Sequence, residues 1–222
     1  EVLLGDVLDT NSNWLCRQLS GVGAAVERVT VLRDELDVVA DALSSVLARQ
    51  PDLVITSGGL GPTADDLTLE AVARALGRQL QLDTEALGWL AETFAQLARE
   101  GAVRSPELTP SRRKMAYLPV GACPLPNGVG AAPGVVLQDD STTIVCLPGV
   151  PSELQDIYRR QVSPLIAGRL GTGFFAEWRL RVSSGDESLL APVLQRIAGG
   201  HAQVYLKSRA SHFGPDVPYL LT

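Results

Sequence analysis

Leu53-Val54-Ile55-Thr56-Ser57-Gly58-Gly59-Leu60-Gly61-Pro62-Thr63-Ala64-Asp65-Asp66-Leu67-Thr68 opens with a bare apolar run and closes in a glycine-dense turn. The run has the composition of a strand buried on both faces of a parallel sheet. A helix is expected after the turn, from about Leu67 to Leu76, stopped by Gly77. Glycine lets the backbone turn sharply and lets a ligand approach it closely. Free N–H groups at a helix start attract anions, helped by the helix dipole. Open α/β sheets also hold their ligands at the carboxyl ends of strands, where this turn lies. The spacing is not G-x-G-x-x-G, and Gly-Lys-Ser/Thr is lacking. Neither a Rossmann dinucleotide site nor a P-loop is therefore indicated. Ser57, Gly58, Gly59, Gly61 and Thr63 are candidate phosphate contacts. The same string also serves as a plain tight turn, with Asp66 or Thr68 as a helix cap.

Two adjacent carboxylates, Asp65 and Asp66, follow the glycines. Beside an anion site they repel the ligand unless a divalent cation bridges them to phosphate oxygens. Without a ligand they read as favourable acidic charge at a helix start. Asp34 stands where a strand expected over 24–32 meets the next helix, and helix N-cap is its simpler reading. Leu147-Pro148-Gly149-Val150-Pro151-Ser152-Glu153 repeats the strand–turn–helix logic after a second bare apolar strand, Thr143 to Leu147. Pro148, Gly149 and Ser152 join the candidate ligand contacts. Arg112, Arg113 and Lys114 form the one basic cluster. It suits a diphosphate, or simply a solvated helix face. Leu125–Gly134 is dense in turn residues and suits a pocket wall.

The 222 residues carry 19 Lys and Arg against 25 Asp and Glu, a net charge of −6. A basic nucleic-acid footprint is not expected from that balance. No apolar run reaches the roughly 18 residues of a membrane helix. Three widely spaced cysteines, Cys16, Cys123 and Cys146, make no disulfide framework or zinc cluster, and reduced thiols in a cytoplasmic setting are expected. His201 and His212 are too few for a His-rich metal site.

Strands and helices alternate along the chain. Glu1 to Leu4 reads as the tail of a strand. Asp9-Thr10-Asn11-Ser12 caps a helix carrying Trp14, Leu15 and Leu19, stopped by Gly21 and Gly23. Val26, Val29 and Val31 suggest the strand over 24–32. Helices are expected over 35–49, over 84–100 with Asp83 or Thr84 as cap, and from Pro151 or Ser152 to about Arg169. This is the pattern of βαβ units, a mostly parallel sheet covered on both faces. Residues 1–170 form the expected α/β domain. Gly171-Thr172-Gly173 marks a boundary, and residues 174–222 form a small α+β domain. That second domain has a strand from Trp178 to Val182, a helix from Leu189 to Ile197 and a strand from Gln203 to Leu206. Roughly fifty residues are marginal as a free fold, and Phe174, Phe175 and Trp178 are costly to leave wet, so a homodimer is expected.

Taken together, Glu1–Asp6, Asp9–Ser12, Ser57–Thr68, Arg113-Lys114, Leu125–Gly134 and Leu147–Leu154 resemble the N-terminal domain of the competence-damage-inducible CinA family. That domain is similar to the molybdopterin-binding domain of molybdenum-cofactor biosynthesis proteins of the MoaB/Mog type. Gly185-Asp186-Glu187-Ser188 and its surroundings resemble the small KH-type middle domain of CinA proteins. The resemblance implies a three-layer α/β/α sandwich. It also implies a divalent-metal-dependent pyrophosphatase, using Mg, Mn or Co, that splits ADP-ribose into AMP and ribose 5-phosphate. Asp66 corresponds to the family's acidic residue after the Gly loop and Asp34 to the one after the preceding strand. Both are then candidate catalytic residues, with Asp65 and Asp66 as metal ligands. Asn11, Arg113 and Lys114 join the loop as ligand contacts. The alternative is a non-catalytic module for molybdopterin or a nucleotide. The family's last domain, a nicotinamide-mononucleotide deamidase, finds no counterpart in these residues, and no deamidation of that substrate is expected.

Overall fold

The structure is a computed structural model that describes residues 2–170, 178, 180–183, 187–201, 204–209 and 218–221. The chain divides into two compact units, Glu1–Gly173 and Phe174–Thr222.

The first unit has the expected α/β class. Its helices are α1 (Thr10–Gly21), α2 (Leu36–Leu47), α3 (Thr68–Ala75), α4 (Thr84–Arg99) and α5 (Pro110–Lys114). A final run comprises α6 (Pro151–Ile157), a π-helical turn (Tyr158–Val162) and α7 (Ser163–Leu170). Capping is as the residue types suggest for α1 and α4. Asp9 accepts from the Ser12 N–H at 2.9 Å, and Asp83 accepts from the Ala86 N–H at 2.8 Å. Pro151 is the first helical residue of α6, where its missing N–H costs nothing.

The main sheet has the order β1 (Leu53–Ser57), β6 (Thr142–Leu147), β5 (Gly134–Asp139), β4 (Cys123–Leu125). β1 runs parallel to β6, with Ser57 level with Leu147. β5 pairs antiparallel with both β6 and β4. A separate antiparallel pair joins β2 (Leu80–Leu82) to β3 (Tyr117–Pro119).

β6 shows why the first unit has three layers. Every one of its residues is buried, and alternate side chains enter different cores. Ile144 and Cys146 pack with α2, α3 and α4 through Leu43, Val72 and Leu90. Val145 and Leu147 pack with α1 and α6 through Leu15, Leu154 and Ile157. Each fully buried aliphatic side chain contributes about 1.5–3 kcal/mol. The two ends of the two bare apolar strands are thereby fixed side by side.

Burial also settles the cysteines. Cys146 is enclosed, and desolvation pushes its thiol up to about 11. Cys123 is exposed. A thiol reagent at pH 8 is expected to label Cys123 in the folded protein and Cys146 only after unfolding. Rapid labelling of Cys146 in native protein, read by peptide mass, would contradict this packing.

Two expected strands do not form. Val2–Leu4 is an exposed 3₁₀ turn rather than a strand tail. Residues 24–32 hold no helix or ladder, and Val26, Val29 and Val31 stay exposed. β propensity needs a hydrogen-bonding neighbour, and the described strands pair β1 only with β6. Asp34 lies exposed in the bend that follows. The residue at the N-cap of α2 is Glu35, without a side-chain cap bond, so Asp34 is not the cap.

The second unit contains β7 (Leu180–Ser183), α8 (Glu187–Gly200), β8 (Ser208–Arg209) and β9 (Pro218–Leu221). Its sheet has the order β7-β9-β8 and is antiparallel. The expected strand and helix at its start are present. The strand expected over 203–206 is not, because residues 204–207 carry no regular structure and the pairing begins at Ser208. Phe174, Phe175, Gln203, His212, Gly171–Gly173 and Gly185-Asp186 lie outside the described residues. No helix among the described residues is long and apolar enough to cross a membrane.

Candidate functional site

The parallel pairing of β1 with β6 brings two turns together at the carboxyl end of the sheet. The Gly58 N–H donates to the Leu147 carbonyl at 2.9 Å. A Cβ at Gly149 would stand 3.3 Å from the Gly58 Cα, so backbone passes closely by backbone and a side chain there would crowd it. Asn11, in the first turn of α1, ties both turns. Its Nδ2 donates to Ser57 Oγ at 3.0 Å and to the Gly149 carbonyl at 2.7 Å. Four sequence-derived candidates, Asn11, Ser57, Gly58 and Gly149, therefore meet in one cluster. Pro148 and Ser152 flank it in the turn and in the first turn of α6.

Beyond Gly58 the chain is held by Thr68. Its Oγ1 donates to the Gly58 carbonyl at 2.8 Å, and its N–H donates to the Gly59 carbonyl at 3.1 Å. Gly58 and Gly59 both have positive φ, 98° and 69°. Asp66 does not cap α3; the N-cap residue is Leu67. Instead Asp66 closes the turn on itself. Its Oδ2 accepts from the Thr63 N–H at 2.9 Å and from Thr63 Oγ1 at 2.5 Å. Oδ1 takes no hydrogen bond from the described residues. The Thr63 hydroxyl, followed by a backbone hydrogen bond and the Lys114 charge, holds the exposed Asp65 carboxyl below its ordinary range.

α5 delivers the cations. Thr109 caps it, and Arg112 is consumed structurally. Its guanidinium lies 3.9 Å over the Phe94 ring and donates to the Ser105 and Glu107 carbonyls, each at 2.7 Å. Lys114 Nζ donates to the Thr63 carbonyl, which anchors α5 to the Gly loop. Arg113 and Lys114 then line a cavity of about 420 Å³ together with Gly59, Gly61 and Asp66. Of the basic cluster, Arg113 and Lys114 reach the site and Arg112 does not. Asp34 does not line this cavity.

Residues 1–168 match the family described as the probable molybdopterin binding domain. The chain belongs to that family. A protein of Pyrococcus furiosus is 40% identical over 195 residues, 88% of this chain and 76% of its own length. One of Thermococcus kodakarensis is 40% identical over 221 residues, covering 100% of this chain and 86% of its own length. Among solved structures, the protein CinA of Thermoplasma acidophilum, described as of unknown function, is similar. It shares 34% identity at a TM-score of 0.67, over 74% of this chain and 93% of its own.

In this molybdopterin-binding domain the donors for a cation are sparse. No group of three or more His, Cys, Asp or Glu gathers among the described residues. A closed protein cage for a metal is therefore not built here. Mg²⁺ often takes only one or two carboxylates, with waters and substrate phosphates completing its shell. The uncommitted Asp66 Oδ1 and the exposed Asp65 suit that pattern.

The cavity also has a side that the sequence reading missed. Glu70 of α3, Leu80 of β2 and Tyr117 of β3 line it. β2 and β3 have three residues each, too short for an alternation to register. Leu82 pairs with Tyr117, which fixes β2 beside β3 in this wall.

Proposed function

We propose that the domain is a CinA-type enzyme that hydrolyses the diphosphate of ADP-ribose to AMP and ribose 5-phosphate with a divalent metal. One observation carries the reading. A Gly loop at the carboxyl end of a parallel strand opens on a cavity that holds Arg113, Lys114 and Asp66 at once. A pterin module needs the loop; two cations that line one cavity with a carboxylate suit a diphosphate–metal complex.

Arg113 and Lys114 neutralise the diphosphate as it binds. Lys114 gives one proton to the Thr63 carbonyl and keeps two for phosphate oxygens. Thr63 holds Asp66 through Oδ2, so Oδ1 is presented without a rotamer search. A divalent ion held by Asp66 and Asp65 would polarise a phosphoryl oxygen and lower the pKa of the attacking water. Asn11 keeps the Ser57 and Gly149 turns in register beneath the loop. The KH-type character of residues 174–222 belongs to the same reading.

Purified protein with ADP-ribose and Mg²⁺ is expected to give AMP and ribose 5-phosphate in equal amounts by chromatography, and EDTA is expected to stop the reaction. Intact ADP-ribose after prolonged incubation would remove the proposal. Arg113→Ala and Lys114→Ala are each expected to raise KM for ADP-ribose about tenfold, the scale of one charge-assisted hydrogen bond. Unchanged KM in both would detach α5 from the diphosphate.

We also propose a homodimer. Trp178 is 77% exposed in the second unit, with Leu180 exposed beside it in sequence. Light scattering at micromolar concentration is expected to give twice the chain mass; a monomer mass refutes this.

A further inference from the structure

The loop joining β4 to β5, residues 126–133, does not line the cavity of the Gly loop. The sheet fixes its place. Leu125 ends β4 opposite Gly134 at the start of β5, and Val135 lies level with Cys146 of β6. The loop therefore stands at the carboxyl end of β6, against the start of α6. Asn127 organises it. Its Oδ1 accepts from the Val129 N–H at 3.0 Å and from the Gly130 N–H at 2.8 Å, which closes a turn within the loop. Its Nδ2 donates to the Ala132 carbonyl at 2.8 Å and to Glu153 Oε2, in the first turn of α6, at 2.6 Å. Glycines let the loop lie directly on α6. A Cβ at Gly130 would stand 2.2 Å from Glu153 Cδ, and one at Gly128 would stand 2.9 Å from Asp156 Oδ2. Asp156 is not free to swing clear, since its Oδ1 pairs with Arg160 Nε at 2.8 Å. Packing thus favours glycine directly after the asparagine.

That pairing is chemically labile. Asn127 is one of three asparagines, with Asn11 and Asn13, and it is the one followed by glycine. An Asn–Gly unit is the one most prone to deamidation, because glycine has no Cβ to hinder its own nitrogen. The Gly128 backbone nitrogen attacks Asn127 Cγ. A C–N bond forms, the Cγ–Nδ2 bond breaks, and Nδ2 leaves as ammonia with the proton that the Gly128 nitrogen gives up. Water then adds across either C–N bond of the cyclic imide and yields aspartate or isoaspartate.

We propose that Asn127–Gly128 is a deamidation site held closed by Glu153. Four hydrogen bonds fix the Asn127 amide, which cannot turn its Cγ onto the neighbouring nitrogen without breaking them. Glu153 also opposes the departure of Nδ2. That nitrogen needs a proton to leave, and a carboxylate offers none. The product does not reclose the latch. Aspartate still accepts from the 129 and 130 N–H groups, but it has no donor for the Ala132 carbonyl, and its charge faces Glu153. Deamidation is thereby a one-way release of the loop from α6, whichever ligand the Gly loop binds.

The test incubates folded protein in mildly alkaline buffer and reads each asparagine by peptide mass spectrometry. Glu153→Ala is expected to speed conversion at residue 127 about tenfold, the scale of losing a hydrogen bond to a charged group. Asn11 and Asn13 are expected to stay unchanged. Wild type in enough urea to match the stability of Glu153→Ala is the control for global unfolding, and it is expected to convert more slowly than the variant. Asn127→Asp stands in for the product and is expected to lower Tm. Glu153→Gln in that background supplies a donor to the new carboxylate and is expected to recover part of the loss. This second pair decides the matter even where Glu153→Ala does not fold. Equal rates for wild type and Glu153→Ala, or for Glu153→Ala and the urea-matched wild type, overturn the proposal. So does an Asn127→Asp protein that melts with the wild type, or one that Glu153→Gln does not help.

Discussion

Asp66→Asn is expected to lower ADP-ribose turnover about 100-fold or more, the scale of losing one strong electrostatic contact in a transition state. The substitution removes a charge and leaves the shape. Asparagine still offers one carbonyl oxygen, and that oxygen can take both bonds that Oδ2 now accepts, from the Thr63 N–H and the Thr63 hydroxyl. The turn should therefore persist, with stability changed by about 1 kcal/mol at most. A purely structural Asp66 gives the opposite pattern. There, Asn would turn over normally, and any loss would appear in thermal unfolding. Kinetics and melting measured on the same preparation separate the two, and normal turnover would leave the charge without a role.

Gly59→Ala should be the most damaging small substitution in the loop. Gly59 has φ 69°, a conformation that costs a residue with a Cβ about 1–2 kcal/mol. The added carbon would also stand 2.3 Å from Thr68 Oγ1 and 3.3 Å from the Thr68 backbone nitrogen. Thr68 cannot retreat freely, because its hydroxyl and its N–H both hold the loop. Strain and overpacking together are expected to cost about 3 kcal/mol or more. For a unit of this size that is a fall in Tm of roughly 6–12 °C. Gly77→Ala is the matched control, with φ 62° but no atom within 4 Å of the new carbon. It should lose only the backbone share. Thr68→Ala in the Gly59→Ala background should recover part of the loss. Equal effects at Gly59 and Gly77 would show that the close approach to Thr68 carries no weight.

How far the residues alone led depends on the range of the interactions concerned. The caps were legible as the run Asp9–Ser12 and the pair Asp83 or Thr84, because a cap bond spans three residues; the structure selects Asp9 and Asp83. The β1 turn and the β6 turn were each legible as ligand-facing, since both follow a bare apolar strand. Their meeting was not, because it depends on the Ser57–Leu147 register and on Asn11 reaching 138 residues to Gly149. Residues 24–32 show the limit from the other side. Their valines have strand propensity, but a strand also requires a neighbouring ladder, and propensity does not report one. Arg112 and Arg113 are indistinguishable in a basic run. Only packing puts Phe94 under the first and the cavity beside the second. Tyr117 gave no signal at all, because a three-residue strand has no visible period.

The central claim is that the loop and its cavity turn over a diphosphate rather than merely hold a ligand. The most direct measurement incubates ADP-ribose in large excess over protein, with Mg²⁺, in water enriched in ¹⁸O, and follows the products by mass spectrometry. Hydrolysis adds one water across the P–O–P bridge. The predicted result is many turnovers per chain, with one ¹⁸O in either AMP or ribose 5-phosphate and none in the other. Unlabelled, undiminished ADP-ribose, with the protein shown by melting to be folded, would contradict the account and leave a binding domain in its place.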